Sequence, residues 1–322
     1  MQAEPGLVSI PEGDMTNQKV TILMGVRNGA AHLPAQLESI AAQTHDNWQL
    51  ICSDDGSSDN TRSIIRRFAN GHPGCVTLRD GPQVGFSANF MKMVADLPAD
   101  VGFVSFADQD DIWEPDKIAR GLAHLQNTDA VPTLYSVRCW YWYPATDRRV
   151  ASVMPTRPPG FRNALIENIA TGNSILLNPA AARLAQDAAA RTASVFAHDW
   201  WLYLLVSGVG GQVVFDTGAP SLLYRQHEDN AIGGGQTASA QVQRKIKVLQ
   251  GAFSDRIKSN LTAMETVYDL LTPENQSLLD AFAKARTAGL LNRLSALRSI
   301  GPYRQTTLGN LGFWGAASLG RI

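Results

Sequence analysis

Cysteine is scarce in this chain. Only Cys52, Cys75 and Cys139 occur in 322 residues, odd in number and widely spaced. They match neither a zinc-ligand spacing nor a disulfide framework, which predicts a reducing, cytosolic setting. Long apolar runs are missing as well: no stretch approaches the ~20 apolar residues that a membrane span needs. The expected membrane contact is therefore at most peripheral, on the inner face of the cell membrane. Residues 1–18 carry Glu4, Glu12 and Asp14 without an apolar core and read as a flexible segment rather than a signal peptide. Strong charge of either sign is lacking, with 28 Lys+Arg against 29 Asp+Glu and a net charge of −1. The molecule has no overall field toward nucleic acid, so no nucleic-acid partner is expected. No GxGxxG follows the first apolar run, which excludes a Rossmann oxidoreductase. One local absence stands out: no acidic residue follows Asp280, while Lys284, Arg286, Arg293, Arg298, Arg304 and Arg321 do.

What is present reads as one large globular domain with an appendage, 44% apolar and 18% charged. Lys19–Gly25 is a compact apolar run, as for a strand covered on both faces. Leu33, Leu37 and Ile40 share a helical face. Trp48–Ser53 predicts a second strand, followed by a helix that opens near Asp59, with Ser58 or Asp59 as its cap. Val76–Leu78, a helix over Ala88–Leu97 and a strand over Val101–Phe106 complete the rhythm. Strand alternating with helix predicts an α/β/α sandwich with a mainly parallel sheet. Further on, Pro132–Tyr143 reads as a strand, Glu167–Asn178 as a polar turn running into a strand, and Ala180–Ala190 as a helix. Another helix begins near His198-Asp199. From about Gln241 the pattern is helical, broken near Pro273 and at Gly301-Pro302.

Ligands of such sheets bind beyond the carboxyl ends of the strands, and three polar clusters fall there: Arg27-Asn28-Gly29, Asp54-Asp55-Gly56-Ser57 and Asp108-Gln109-Asp110-Asp111. Crowded carboxylates repel unless a cation neutralises them. Mg2+ or Mn2+, held by one or two carboxylates plus phosphate oxygens, is the usual solution and stabilises a departing diphosphate. The alternative for the third cluster is a solvated cap on the helix near Glu114. The Asp54-Asp55 turn can accept a hydrogen bond from a base or ribose, or can simply feed the next helix.

Together these segments resemble glycosyltransferase family 2, the inverting family of GT-A fold. The residues that carry the resemblance are VTILMGVRNGAAHLPAQLESIAAQ, ICSDDGSSDNT, FVSFADQDDIW, TGNSILLN, HDWWLYLL and YRQHEDN, in order from Lys19 to Gly235. DQDDIWEPDKI and YRQHEDNAIGG are most similar to its bacterial rhamnosyltransferase-like branch, which builds surface polysaccharides. The resemblance implies a GT-A-type Rossmann-like catalytic domain over 19–235, its halves 19–130 and 131–235 for nucleotide and acceptor, and a helical extension over 236–322. It implies transfer of rhamnose or a similar hexose from a dTDP- or UDP-sugar to a hydroxyl of a saccharide or lipid-linked acceptor. Val26, Arg27, Asn28, Asp54, Asp55 and Asp108 would meet the nucleotide, and Asp110 and His227 the metal. Asp199, preceded by His198 where many members have an acid, would be the catalytic base; its alternative is a helix cap. Gln109, Asp111, Trp113, Gly172, Asn173, His198, Trp200 and Gln226 would contact donor or acceptor. Of Trp200 and Trp201, one is expected in the core and one on the acceptor. Gln226, Asn230 and Gly233–Gly235 read as a lid over the diphosphate.

The basic tail places Leu290, Leu294 and Leu297 on one helical face and adds Phe313-Trp314. It fits an amphipathic segment on anionic lipid, or a hairpin packed on the domain or on a second copy. A sugar nucleotidyltransferase would show a glycine-rich loop with arginine and lysine after the first strand, which Gly25–Ala30 is not. A binding module without catalysis would not need Asp110, Asp199 and His227 together.

Overall fold

A computed structural model describes residues 17–128, 130–226 and 252–322. The first half runs β1 (Val20–Val26), α1 (Leu33–Ala41), β2 (Trp48–Asp54), α2 (Thr61–Gly71), β3 (Val76–Asp80), α3 (Phe86–Ala95), β4 (Phe103–Asp108), β5 (Ile112–Trp113) and α4 (Lys117–His124). It continues with β6 (Thr133–Val137), β7 (Trp140–Tyr143), β8 (Arg148–Ala151), α5 (Phe161–Ala164), β9 (Leu176–Leu177), α6 (Pro179–Ala189), α7 (His198–Gly208), β10 (Gln212–Asp216) and β11 (Leu222–Arg225). Four helices follow: α8 (Ala252–Glu265), α9 (Pro273–Thr287), α10 (Leu290–Ile300) and α11 (Thr307–Ser318).

The main sheet has the order β10-β6-β9-β4-β1-β2-β3. β1 lies between β2 and β4, parallel to both, and β3 extends the parallel set. Only the two-residue β9 runs antiparallel, to β4 and β6. The four parallel strands thus end on one edge, where Val26, Asp54 and Asp108 come together. A smaller sheet, β5-β11-β7-β8, stands beside that edge.

The alternation of β1 divides its apolar residues between two layers. Val20, Ile22, Met24 and Val26 pack with Leu33, Leu37 and Ile40 of α1 and Ile118 and Leu122 of α4. Leu23 joins the opposite layer with Phe90 and Val94 of α3, Ala181 and Ala185 of α6, and Trp201 of α7. That layer continues into the C-terminal helices through Ile257, Met264, Phe282, Leu297, Ile300 and Phe313. Helix starts follow local chemistry. Asn178 caps α6 by accepting from the Ala181 N–H, with Pro179 behind it, and Thr272 caps α9 ahead of Pro273. Gly301, at φ +68°, closes α10 in the left-handed conformation.

Two expectations change. Pro132–Tyr143 is not one strand: Arg138-Cys139 interrupts it, and β6 joins the main sheet while β7 joins the small one. The break lets WYWY leave the core and wall the site. In the tail, Leu297 and Phe313 are core residues and Leu294 is half-buried against them, so the leucine stripe faces protein, leaving Leu290 at its exposed end. Among the described residues no helix is long and apolar enough to cross a membrane.

Candidate active site

The strand-end clusters open onto one cavity of about 370 Å3. Its walls include Val26, Arg27, Asp55, Asp108, Gln109, Asp110, Gly172, Asn173, His198 and Asp199. Of the residues singled out in the sequence, Asn28, Asp54, Asp111, Trp113, Trp200 and Gln226 do not line it. His227, Asn230 and Gly233–Gly235 lie outside the described residues.

The loop after β1 is built by reciprocal hydrogen bonds. Asn28 takes φ +49°, a left-handed turn that asparagine tolerates. Its N–H donates to Ser57 Oγ at 2.9 Å, and its Oδ1 accepts from the Ser58 N–H at 2.8 Å. Gln109 Oε1 accepts from the Arg27 N–H at 2.9 Å while its Nε2 donates to the Arg27 carbonyl at 3.0 Å. The amide of Gln109 therefore locks the β1 loop to the acidic loop. Asp59 accepts from the Thr61 and Ala30 N–H groups, both at 3.0 Å, satisfying the start of α2 and tying it to the same turn.

The paired aspartates part ways. Asp54 Oδ1 accepts from the Ser57 N–H at 3.1 Å, and Oδ2 pairs with Arg62 at 2.8 Å, so this buried carboxylate belongs to the turn. Asp55 instead lines the cavity, its two oxygens accepting from the N–H groups of Gln83 and Gly85. Each oxygen keeps a second lone pair for a ligand.

Besides Asp55, three more carboxylates line the cavity: Asp108, Asp110 and Asp199. Burial first, then the charges of Asp110 and Asp199, push the Asp108 carboxyl well above its usual range. Behind them Asp111, 0% exposed, accepts from Asn173 Nδ2 at 2.6 Å. Burial raises Asp111 strongly and lowers buried Lys117 to about 7. Lys117 sits over the Trp113 ring at 3.7 Å, which explains why Trp113 is core rather than substrate wall. The donor chemistry fits a hard divalent cation. Asp108 and Asp110 supply carboxylate oxygens, and such an ion takes its remaining ligands from phosphate and water. Among the described residues no group of three His, Cys, Asp or Glu converges as a complete metal cage.

Asp199 stands in the first turn of α7. Its Oδ1 accepts from the Trp200 N–H at 2.7 Å and its Oδ2 from the Gly172 N–H at 3.1 Å. Burial raises its pKa to about 6, against these bonds and one from Asn168. The N-cap of α7 is Ala197 rather than Asp199, which stands at the second helical position, accepts the Trp200 N–H there and lines the cavity. His198 beside it is 5% exposed, stacked on Phe90 at 4.0 Å and tilted toward Phe106. Burial lowers its pKa to about 3, so the ring is neutral at physiological pH. Neither ring nitrogen has a hydrogen-bond partner among the described residues. A Cβ on Gly172 would lie 2.8 Å from the buried His198 Nε2, so only a glycine leaves room for the ring there.

Trp200 and Trp201 are both buried in the core, and Trp200 Nε1 donates to the Ala164 carbonyl at 2.7 Å. Neither indole reaches the cavity, because nearly every side chain of α7 except Asp199 is enclosed by neighbouring helices. Several wall residues were not foreseen. Asn89 of α3 donates to the Ser53 carbonyl at 2.9 Å and holds the β2 end. Phe86 and Phe90 come from the same helix. Tyr141 and Tyr224 face one another in register on β7 and β11, ring centroids 6.1 Å apart. The start of α3 at the same sheet edge was the available signal for Asn89; the tyrosine pair, 83 positions apart, had none.

Residues 21–182 match the profile of glycosyl transferase family 2. The chain is similar to dTDP-rhamnosyl transferase RfbG of Shigella flexneri, 27% identical over 237 residues, 69% of this chain and 77% of that protein. It is also similar to the UDP-Glc:alpha-D-GlcNAc-diphosphoundecaprenol beta-1,3-glucosyltransferase WfgD of Escherichia coli, 32% identical over 104 residues, 32% of this chain but only 40% of that protein. Among solved structures, S. aureus TarS 1-349 in complex with UDP-GlcNAc superimposes with a TM-score of 0.53 at 12% identity, covering 88% of this chain and 90% of that one. That likeness is one of fold, the GT-A arrangement. Because the family match spans half of the chain, the protein belongs to glycosyl transferase family 2 and is a glycosyltransferase.

Proposed function

We propose that the protein transfers a sugar, rhamnose or a similar hexose, from a dTDP- or UDP-sugar to a hydroxyl of a saccharide acceptor with inversion at the anomeric carbon. The names of the relatives from Shigella and Escherichia support that donor class and a place in bacterial surface-polysaccharide synthesis. The observation that carries the reading is Asp199: a carboxylate with a pKa raised to about 6, held rigidly in the wall opposite the acidic loop. A general base works best when its pKa lies near the working pH.

In this reading Val26, Arg27 and Asp55 receive the nucleoside. A divalent cation, Mn2+ or Mg2+, on Asp108 and Asp110 would stabilise the negative charge of the departing diphosphate. Asp199 accepts the proton of the acceptor hydroxyl as its oxygen bonds to the anomeric carbon. The bond from that carbon to the diphosphate oxygen breaks on the opposite face, so one displacement inverts the centre. His198, in the cavity lining beside Asp199, would meet the sugar chiefly as an apolar ring stacked on Phe90. Tyr141 and Tyr224 offer apolar ring faces to the sugar.

A thermal-shift panel of UDP-, dTDP- and GDP-sugars with Mn2+ tests the donor class. A ligand at 100 times its Kd stabilises by about 2.7 kcal/mol, enough to rank donors. The reading expects UDP- or dTDP-sugars to lead, and a flat panel would count against it.

A further inference from the structure

Packing uses only one side of the C-terminal hairpin. Five of the ten large apolar side chains exposed among the described residues are leucines between 290 and 319. On α11, Phe313 and Ala317 face the core. Its outer face is Leu308, Leu311, Gly312 and Gly315, and Leu319 just past the helix end extends it. The spacing i, i+3, i+4, i+7, i+11 makes this one stripe, without a charge in it. Leu308 is 81% exposed and Leu291, at the start of α10, 80%. Arg293 joins the two ends, donating to the carbonyls of Ala288 and Ala317, so Leu290 and Leu291 neighbour the end of α11.

Lys284 near the end of α9 and Arg298, seven residues after Leu291 on α10, are exposed, and no acidic side chain occurs from 281 to 322. Arg286, Arg293 and Arg304 are engaged with backbone carbonyls or Glu167; neither these nor Arg321 are counted. We propose that the outer face of α10 and α11 is a docking surface for an anionic lipid bilayer, the leucines entering the headgroup boundary and Lys284 and Arg298 meeting lipid phosphates. A two-fold contact between copies would use the same patch twice and set like charges together, whereas an anionic surface neutralises them. With 12 residues, α11 is about 18 Å long and lies on a membrane rather than crossing it. The surface is tied to the cavity: Arg304 pairs with Glu167 at 3.2 Å, and the next residue, Asn168, hydrogen-bonds Asp199. Docking would fix the cavity at a set height for acceptors displayed on lipid.

Flotation of the full chain with phosphatidylcholine vesicles, with and without about one quarter phosphatidylglycerol, tests this. The chain is expected to float with the anionic vesicles at low salt and to stay behind with the neutral ones. Leu308→Ser combined with Leu311→Ser should lower partitioning by about tenfold or more at unchanged Tm, because both side chains are exposed. Absence of binding to anionic vesicles overturns the proposal, as does undiminished binding by the double variant. A concentration-dependent dimer in sedimentation equilibrium that the same substitutions dissolve would also overturn it, assigning the face to a second copy. Vesicle binding requires neither donor nor acceptor and is therefore read separately from sugar transfer.

Discussion

Asp199 carries conflicting demands. Its carboxylate is enclosed enough to hold a proton up to about pH 6, yet it must be ionised to take one from an acceptor. The kcat/KM profile should therefore fall on the acid side with an apparent pKa near 6. Asp199→Asn should lower kcat by about 10²–10⁴-fold. The same burial has a thermodynamic sign. The folded pKa lies above the ordinary value of 3.8, so between these values the folded state keeps a proton that the unfolded chain has lost. Stability from this group falls as pH rises through that window and is gone above about 6. Asp199→Asn never ionises but turns an NH2 toward one of the two backbone N–H donors, so its Tm at pH 8 should fall only modestly even as activity disappears; a large drop would mean that the residue is mainly structural. Gly172→Ala probes the neighbouring space. Its Cβ would lie 2.8 Å from the Nε2 of a buried ring stacked on Phe90, which must shift, and the expected result is a raised acceptor KM together with a lowered Tm. Asp54 and Asp55 separate in the opposite sense. Asp54→Ala breaks a pair with Arg62 and unseats the Ser57 turn, at a cost of about 1–3 kcal/mol in urea unfolding, whereas Asp55→Ala should chiefly weaken nucleotide binding.

At the scale of elements, the site depends on strands whose ends are set by their partners. Asn178 links α6 and β6 with the turn that precedes β6. Its Oδ1 accepts from the Ala181 N–H at the start of α6 and from the Thr133 N–H at the start of β6, and its Nδ2 donates to the carbonyls of Thr128 and Val131. Removing it leaves several buried backbone groups without partners, so Asn178→Ala should lower the urea midpoint by the equivalent of about 2–4 kcal/mol with an unchanged m-value. β1 to β4 were legible because each is an apolar run covered on both faces, and parallel order brings their ends to one edge. The split of Pro132–Tyr143 was not legible. Both pieces are aromatic and β-branched, and only the partners available to each, β9 and β10 for one and β11 and β8 for the other, decide which sheet it joins. Asp54 was misleading for a similar reason: Arg62 reaches it from the first turn of α2, a pairing that adjacent acids in a sequence do not reveal.

For the whole molecule, the strand-end motifs pointed to one edge of the sheet, and the fold gathers part of each, Arg27, Asp55 and Asp108 to Asp110, around one cavity with Asp199 on its wall. The aromatic wall required tertiary structure, since Tyr141 and Tyr224 meet only through the register of β7 and β11. The tail shows the limit of composition: of the two readings open for the stripe, lipid or protein, the fold takes protein, and a second set of leucines faces out. The most direct test of the account is release of nucleoside diphosphate from the donor that the thermal panel selects, measured with a saccharide acceptor and Mn2+. Turnover should require the metal, collapse in Asp110→Asn and in Asp199→Asn, and give a product of inverted anomeric configuration. Full turnover by Asp199→Asn, or retained configuration, would contradict it.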